Sequence, residues 1–305
     1  MDSRLHAPEL ILAGGTGDPN LIALHHAANF LGIATIDVRH DPNFSPRLRW
    51  MLDDNVLQFN DQILKPTCAF IRLDVFAGLS DPRPEVETRA AGWYHTFHSW
   101  LIANPAIGLL NRDIKAAALH KPSTLLIARD MGLTIPQTII TNDIEWLSSS
   151  TLSRISKPVS GGDYCVALDQ ILTTVPVREG LAAMPSIVQE RLDSPEMRIY
   201  IIGETPIAFH MNSRSLDYRV HQDVDVSMMN DPPIREVTHL ISLMKHLGMD
   251  FGAADFKTDP QSGSWVFLEL NTSPMFAKFS QISDGRLARE MVQAMLKKSK
   301  IESVL

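Results

Sequence analysis

Along these 305 residues the spacing of apolar positions switches between strand-like and helix-like rhythms, and the order of the switches outlines a fold. The first block opens with "ELILAGG", a strand-like run, then a turn at Gly14 to Asp18. "NLIALHHAANFLG" follows with helical spacing, and "IATIDV" returns to a strand. Strand, helix, strand predicts a βαβ opening of the parallel type. "CAFIRLDV" (68–75) reads as another strand, and "VETRAAGWYHTFHSWLIAN" (86–104) as a long helix whose apolar and aromatic positions recur every three or four residues.

A second block starts near Asn111. "KPSTLLIARDMG" predicts a helix with Pro122 in its first turn and Gly132 at its end, and "LTIPQTIITND" a short strand. "RISKPV", "SGGD" and "YCVAL" then read as strand, tight turn, strand. The third block has "SIVQERL" and then "EMRIYIIGETPIAFHMNS", a hairpin turning at Gly203 and Glu204. A helix "IREVTHLISLMKHLG" precedes the strands "DFGAADFKTD" and "SWVFLELNT", joined by the turn "PQSG", and the amphipathic "RLAREMVQAMLKK" closes the chain. The length exceeds what one hydrophobic core usually serves. The expectation is an α/β (α+β) chain of three subdomains, at 1–108, 109–186 and 187–305.

Composition adds exclusions. With 45% hydrophobic and 21% charged residues the chain is of ordinary globular type, not a disordered one. A formal charge of −7 argues against a general nucleic-acid binder and against duplex DNA as a partner, while leaving room for a local basic cleft that holds phosphates. Cys68 and Cys165 stand far apart in no metal-like spacing, so neither a zinc site nor a disulfide framework is expected. The short apolar "LILA" lacks the features of a signal peptide, and no run reaches the length that spans a bilayer. A cytoplasmic address is the expectation, with no membrane partner.

Candidate chemistry concentrates in "FLELNTSPMF" (267–276). Strand alternation puts Phe267, Glu269 and Asn271 on one face and Val266, Leu268 and Leu270 on the other. With the preceding strand folded back antiparallel, Asp255 of "GAADFK" is expected nearly opposite Glu269. Asp, Glu and Asn oxygens on neighbouring strands suit a hard cation such as Mg²⁺, with phosphate oxygens and water completing its shell. The alternative is a solvated face of scattered polar residues.

A nucleotide-linked Mg²⁺ calls for phosphate-binding groups. Lys157 precedes Ser160, Gly161 and Gly162, where missing Cβ atoms let backbone N–H groups approach an anion. Lys121 opens a predicted helix, whose N-terminus also favours anions. Both lysines could equally be surface residues. "GGTGDP" (14–19) lacks the third glycine of the dinucleotide fingerprint and reads as a structural turn beside the substrate cleft. His25 and His26 cannot share a helix face, and His95 and His98 sit among Trp93, Phe97 and Trp100, which suits packing or a contact between two copies of the chain. Cys165 reads as a strand position rather than a nucleophile.

Taken in order, Lys121, "SKPVSGGDY", "VQERL", "EMRIYIIG", "SRSLDYR", "AADFK" and "LELNTSP" resemble the ATP-grasp superfamily. The finer likeness is to ribosomal-peptide maturases of the microviridin or graspetide type and to ribosomal-protein glutamate ligases. "LLNRDIKAAALHKPSTLLIARDMGLTIPQTIITND" carries most of that finer likeness, although "IRLDVF" stands where those maturases have paired arginines and a proline. The resemblance implies an ATP-grasp fold with an N-terminal parallel-sheet subdomain, and ATP and Mg²⁺ as cofactors. It also implies a ligase: ATP phosphorylates a substrate carboxylate, and an amine or hydroxyl displaces phosphate from the acyl phosphate. A peptide or protein substrate is the favoured expectation. The alternatives are joining of small amino-acid-like molecules and a non-catalytic ATP-binding regulator or scaffold.

Carried onto this sequence, the resemblance assigns Lys121 and Lys157 to the α- and β-phosphates and the loop from Ser160 to Asp163, with Gly161 and Gly162, to a cover over them. Gln189, Glu190, Arg191 and Leu192 would meet adenine. Glu196 would hold the ribose, with Asp193 as its alternative. Asp255, Glu269 and Asn271 match the magnesium ligands. Arg219, then Arg214, then Arg198 are the candidates for steadying the transferring phosphoryl group or the acyl carboxylate. For Arg198 a plain salt bridge within its hairpin is the competing expectation.

Overall fold

The structure, a computed structural model, describes residues 9–41, 45–149, 153–160, 164–213 and 224–301. The chain divides into two compact units, 1–112 with 275–305, and 113–274.

The first unit begins with β1 (Glu9–Gly15), α1 (Pro19–Phe30) and β2 (Ala34–His40). A small antiparallel sheet of β3 (Leu48–Met51), β4 (Val56–Phe59) and β5 (Gln62–Ile63) follows, and then β6 (Cys68–Ile71). β1 lies between β2 and β6, parallel to both. Leu10, Ile11 and Leu12 are fully buried. Their burial follows from the elements on either side, since α1 and α3 (Pro84–Ile102) both pack on β1. Between β6 and α3 the chain forms the short α2 (Val75–Ser80), capped by the Asp74 carboxylate, which accepts from the Phe76 and Ala77 amides. The strand expected over 68–75 therefore ends at Ile71, because Asp74 turns the backbone into a helix.

"GGTGDP" is a turn, as expected. Asp18 caps α1 by accepting from the Asn20 amide at 2.8 Å, and Pro19 occupies the first helical turn, where its missing N–H costs nothing. Gly15 is needed for space, since a Cβ there would run into the Asp74 carboxylate. Two aromatics of α3, Phe97 and Trp100, lie in the core, and Trp93 stacks on His40 with ring centroids 5.4 Å apart. Phe97 and Trp100 are therefore core residues, while Trp93 and Tyr94 are half-buried.

The second unit starts with a 3₁₀ turn (Ala116–Leu119) and α4 (Lys121–Asp130). Next come β7 (Thr138–Asp143), α5 (Ile144–Ser148), β8 (Arg154–Pro158), β9 (Val166–Ala167), α6 (Leu168–Thr174), β10 (Val177–Arg178) and β11 (Leu181–Glu190). β11 is the spine of this sheet, flanked by β7, β8 and β10. The larger sheet is antiparallel, in the order β14 (Val224–Met229), β13 (Thr205–Ser213), β12 (Asp193–Ile202), β15 (Phe251–Thr258), β16 (Trp265–Asn271). α7 (Ile234–His246) buries Leu240, Leu243 and Met244 in one core with Met197, Ile199, Ala254, Phe256 and Phe267 of the sheet.

Past Pro274 the chain belongs to the first unit again, as α8 (Ala277–Ile282) and α9 (Arg286–Ile301). α9 packs against α1 and β6, and Gly108 gives it passage, since a Cβ there would strike the Met295 carbonyl.

Candidate active site

One face of the large sheet packs into an apolar core, and the other carries a cluster of charged side chains beside buried Tyr200 and Phe209. On β12 the side chains alternate strictly: Met197 and Ile199 enter the core, while Glu196 and Arg198 lie on the opposite face. The antiparallel register sets Arg198 beside Asp255 and Glu196 beside Lys257. It also sets Asp255 beside Glu269, the pairing expected from the turn between β15 and β16.

A β-bulge reaches that pairing by a route the alternation did not anticipate. Asp255 pairs with Glu269, but the next residue, Phe256, pairs with Phe267, so Leu268 is an extra residue on β16. Phe267 therefore faces the core, 5.6 Å from the Phe256 ring centroid, together with Leu270. The expected sharing of one face by Phe267 and Glu269 is corrected by this bulge. It keeps both the phenylalanine in the core and the carboxylate out of it.

The charged face is a network. Arg198 donates to both oxygens of Asp255, from Nε at 2.7 Å and Nη2 at 2.8 Å, a two-point pair between adjacent strands rather than within its hairpin. Asn271 Nδ2 donates to Asp255 Oδ2 at 3.1 Å and Glu269 Oε1 at 3.4 Å. Lys121, at the start of α4, reaches Glu269 Oε2 at 2.8 Å. Burial pushes the Glu269 carboxyl up, but Lys121 and Lys157, with hydrogen bonds from Lys121 and Asn271, outweigh it and hold the group below the ordinary glutamate value. Lys157, on β8 opposite Ile187, goes the other way. Burial lowers its ammonium below the ordinary lysine value and Lys121 adds to this, while Glu269, Cys165 and Asp255 offset part of the shift.

Three cationic side chains thus surround two carboxylates, an arrangement that favours an incoming anion. A divalent cation also suits the donor set. Among the described residues no cluster of three or more His, Cys, Asp or Glu side chains could hold a metal by itself. Two carboxylates and an amide leave most of an octahedral shell to other oxygens, which fits a Mg²⁺ that arrives with phosphates. Asn271 would then turn its amide over, presenting oxygen where nitrogen now faces the carboxylates.

The remaining expected residues distribute as follows. Ser160 is exposed two residues past the end of β8, whereas Gly161, Gly162, Asp163, Arg214 and Arg219 lie outside the described residues. Glu190 accepts from the Gln137 amide at 2.9 Å, the Arg191 amide donates to the Ser153 carbonyl, and Leu192 is buried. Gln189 is also buried and donates to Thr138 Oγ1 at 2.9 Å. Glu196 pairs with Lys257 Nζ at 2.9 Å. Lys257 was not singled out from the sequence, although its position two residues after Asp255 puts it on the same strand face.

No protein-family model and no curated protein sequence matches the chain. Solved structures do. The ATP-grasp ligase PsnB, complexed with a phosphomimetic variant of minimal precursor, Mg and ADP, superposes with a TM-score of 0.75 at 18% identity, covering 96% of this chain and 99% of that one. The macrocyclase MdnC from Microcystis aeruginosa MRC, bound with precursor peptide MdnA, gives 0.73 at 21% identity over 94% and 99% of the two chains. The VanG D-Ala:D-Ser ligase from Enterococcus faecalis gives 0.60 at 14% identity over 96% and 99%. The fold these structures share with this chain, over nearly the whole length of each, is the ATP-grasp fold anticipated from its motifs.

Proposed function

We propose that this chain is an ATP-dependent ligase that activates a carboxylate as an acyl phosphate and joins it to an amine or hydroxyl of a peptide or protein. The observation that carries the reading is the charged face of the large sheet, where Lys121, Lys157 and Arg198 converge on Asp255, Glu269 and Asn271. Similarity to PsnB and MdnC, both complexed with precursor peptides, supports a peptide substrate.

In this reading Lys121 and Lys157 bind the α- and β-phosphates, and Lys121 exchanges part of its hold on Glu269 for a phosphate oxygen. Asp255, Glu269 and Asn271 hold Mg²⁺, which when bound neutralises phosphate charge and aligns the transferring group. Arg198 has both a fixed partner and a planar fork, so it keeps Asp255 oriented and can lend a donor to the phosphoryl oxygens. Ser160, Gly161, Gly162 and Asp163 close over the phosphates, Gln189 to Leu192 line the base, and Glu196 meets the ribose. Arg219 and Arg214 are assigned to the acyl phosphate and the carboxylate.

Similarity to a D-Ala:D-Ser ligase favours a second reading, the joining of small amino-acid-like molecules. Phosphate release from ATP and Mg²⁺ separates the two. Release with acidic peptides, accompanied by loss of water from the peptide mass, is the expected result. Release with free amino acids alone would move the small-molecule reading to first place, and ATP binding without release in either case would leave a regulator.

A further inference from the structure

In the first unit, Met275 sets a weak acceptor where two buried donors point. Its side chain is 41% exposed, yet Sδ lies 3.1 Å from Asn20 Nδ2 and 3.2 Å from Arg72 Nη2, on residues that are 0% and 5% exposed. Hydrogen-bond logic fixes the Asn20 amide. Its Oδ1 accepts from the Phe276 and Ala277 amides, which only donate, so its nitrogen faces the Asp18 carboxylate and the sulfur. One N–H goes to Asp18 Oδ1 at 2.8 Å, and the other to the thioether. Arg72 is held alike, with Nε on Asp18 Oδ2 at 3.0 Å and Nη2 on the sulfur.

Oxidation ordinarily harms a packed methionine, because it turns an apolar side chain polar. Here two N–H donors, one of them cationic, already face the sulfur. A thioether serves them weakly, whereas the oxygen of a sulfoxide is a strong acceptor. The side chain is flexible and part of it is open to solvent, so a small peroxide can reach it. The sulfur can then draw back by about one bond length and leave the new oxygen in its place.

We infer that Met275 is a site of reversible S-oxidation by hydrogen peroxide, at which Asn20 and Arg72 receive the sulfoxide oxygen and the first unit is tightened rather than disrupted. In the step, a sulfur lone pair attacks one peroxide oxygen, an S–O bond forms and the O–O bond breaks. Sulfur gives up two electrons, and the departing oxygen takes both hydrogens away as water. A methionine sulfoxide reductase, drawing two electrons from a dithiol, returns the thioether.

Hydrogen peroxide treatment of the full chain, with peptide mass spectrometry to map the oxidised methionines and thermal unfolding to read stability, tests this without any turnover. Met184, 70% exposed on β11, is the surface methionine for comparison. Oxidation at Met275 is expected, with an unfolding midpoint about 2 °C or more above that of the equally treated Met275→Leu chain, a gap wider than before treatment. Reductase with a dithiol should restore the original gap. Met275→Gln places an amide oxygen near the sulfoxide position and should raise the midpoint without peroxide, whereas Met275→Leu strands the two donors and should lower it. A Met275 left intact while Met184 is oxidised overturns the inference, even where a variant fails to fold. So does a gap that peroxide leaves unchanged or narrows, or a Gln variant that loses as much stability as the Leu variant.

Discussion

Lys157 sits where burial favours its neutral form, and a triphosphate bound there, as proposed, would reverse that preference. In the free chain its pKa lies below the ordinary lysine value of 10.5, and a bound anion raises it. Binding therefore takes up a proton between those two values, and affinity falls as pH rises through the free chain's value. Titrating Mg²⁺ and ATP at alkaline pH in buffers of different ionisation heat should reveal the uptake. Lys157→Ala should abolish it and weaken binding by about tenfold or more, since hydrogen bonds to charged groups are the strong ones. Unaltered affinity in that variant would remove Lys157 from the phosphate site. At this scale the sequence was informative where chemistry repeats at strand period. The pairing of Asp255 with Glu269 follows from alternation and a short turn, but the extra residue at Leu268 does not, because only the competition between Phe267 and Glu269 for the core reveals it. The hydrogen bond from Gln189 to Thr138 was equally hidden, since it joins residues 51 positions apart.

Elements followed their hydrophobic rhythm where that rhythm was long. The helices α1, α3, α4, α7 and α9, and the strands β12, β13, β15 and β16, stand close to their expected places. The short β3, β4 and β5 and the helices α2, α5, α6 and α8 were not read, because runs of two to seven residues carry too little periodicity and take their stability from neighbours. α8 shows how such an element is fixed. Asn20, fully buried on α1, accepts from the Phe276 amide at 2.7 Å and the Ala277 amide at 2.9 Å, serving the opening of a helix more than 250 residues away in sequence. Its own amide donates to Asp18 at 2.8 Å, and Asp18 in turn holds the buried Arg72 at 3.0 Å. Asn20→Ala would orphan two backbone donors and weaken the hold on a buried carboxylate. A loss of about 2–3 kcal/mol in denaturant unfolding is expected. A loss below about 0.5 kcal/mol would mean that this cap does not secure α8.

Across the whole molecule, the two compact units carry different parts of the account. The second unit contains the described candidate nucleotide and metal residues, drawn from both of its sheets and from α4, while the first pairs a parallel sheet with the chain's final helices. No described helix is long and apolar enough to cross a membrane. The order of motifs made the fold legible, because ATP-grasp chemistry draws on groups from several strands in a fixed sequence. The substrate was less legible, since its recognition depends on which side chains assemble in space rather than on spacing along the chain.

The central claim is that ATP is used to activate a carboxylate by phosphoryl transfer. It is tested most directly by following oxygen from the substrate. A peptide whose carboxylates carry a heavy oxygen isotope would be incubated with the chain, ATP and Mg²⁺, and the released phosphate weighed by mass spectrometry. The account predicts that heavy oxygen from the activated carboxylate appears in inorganic phosphate as the amide or ester forms. Product formation with unlabelled phosphate, or with the label carried into AMP, would contradict it.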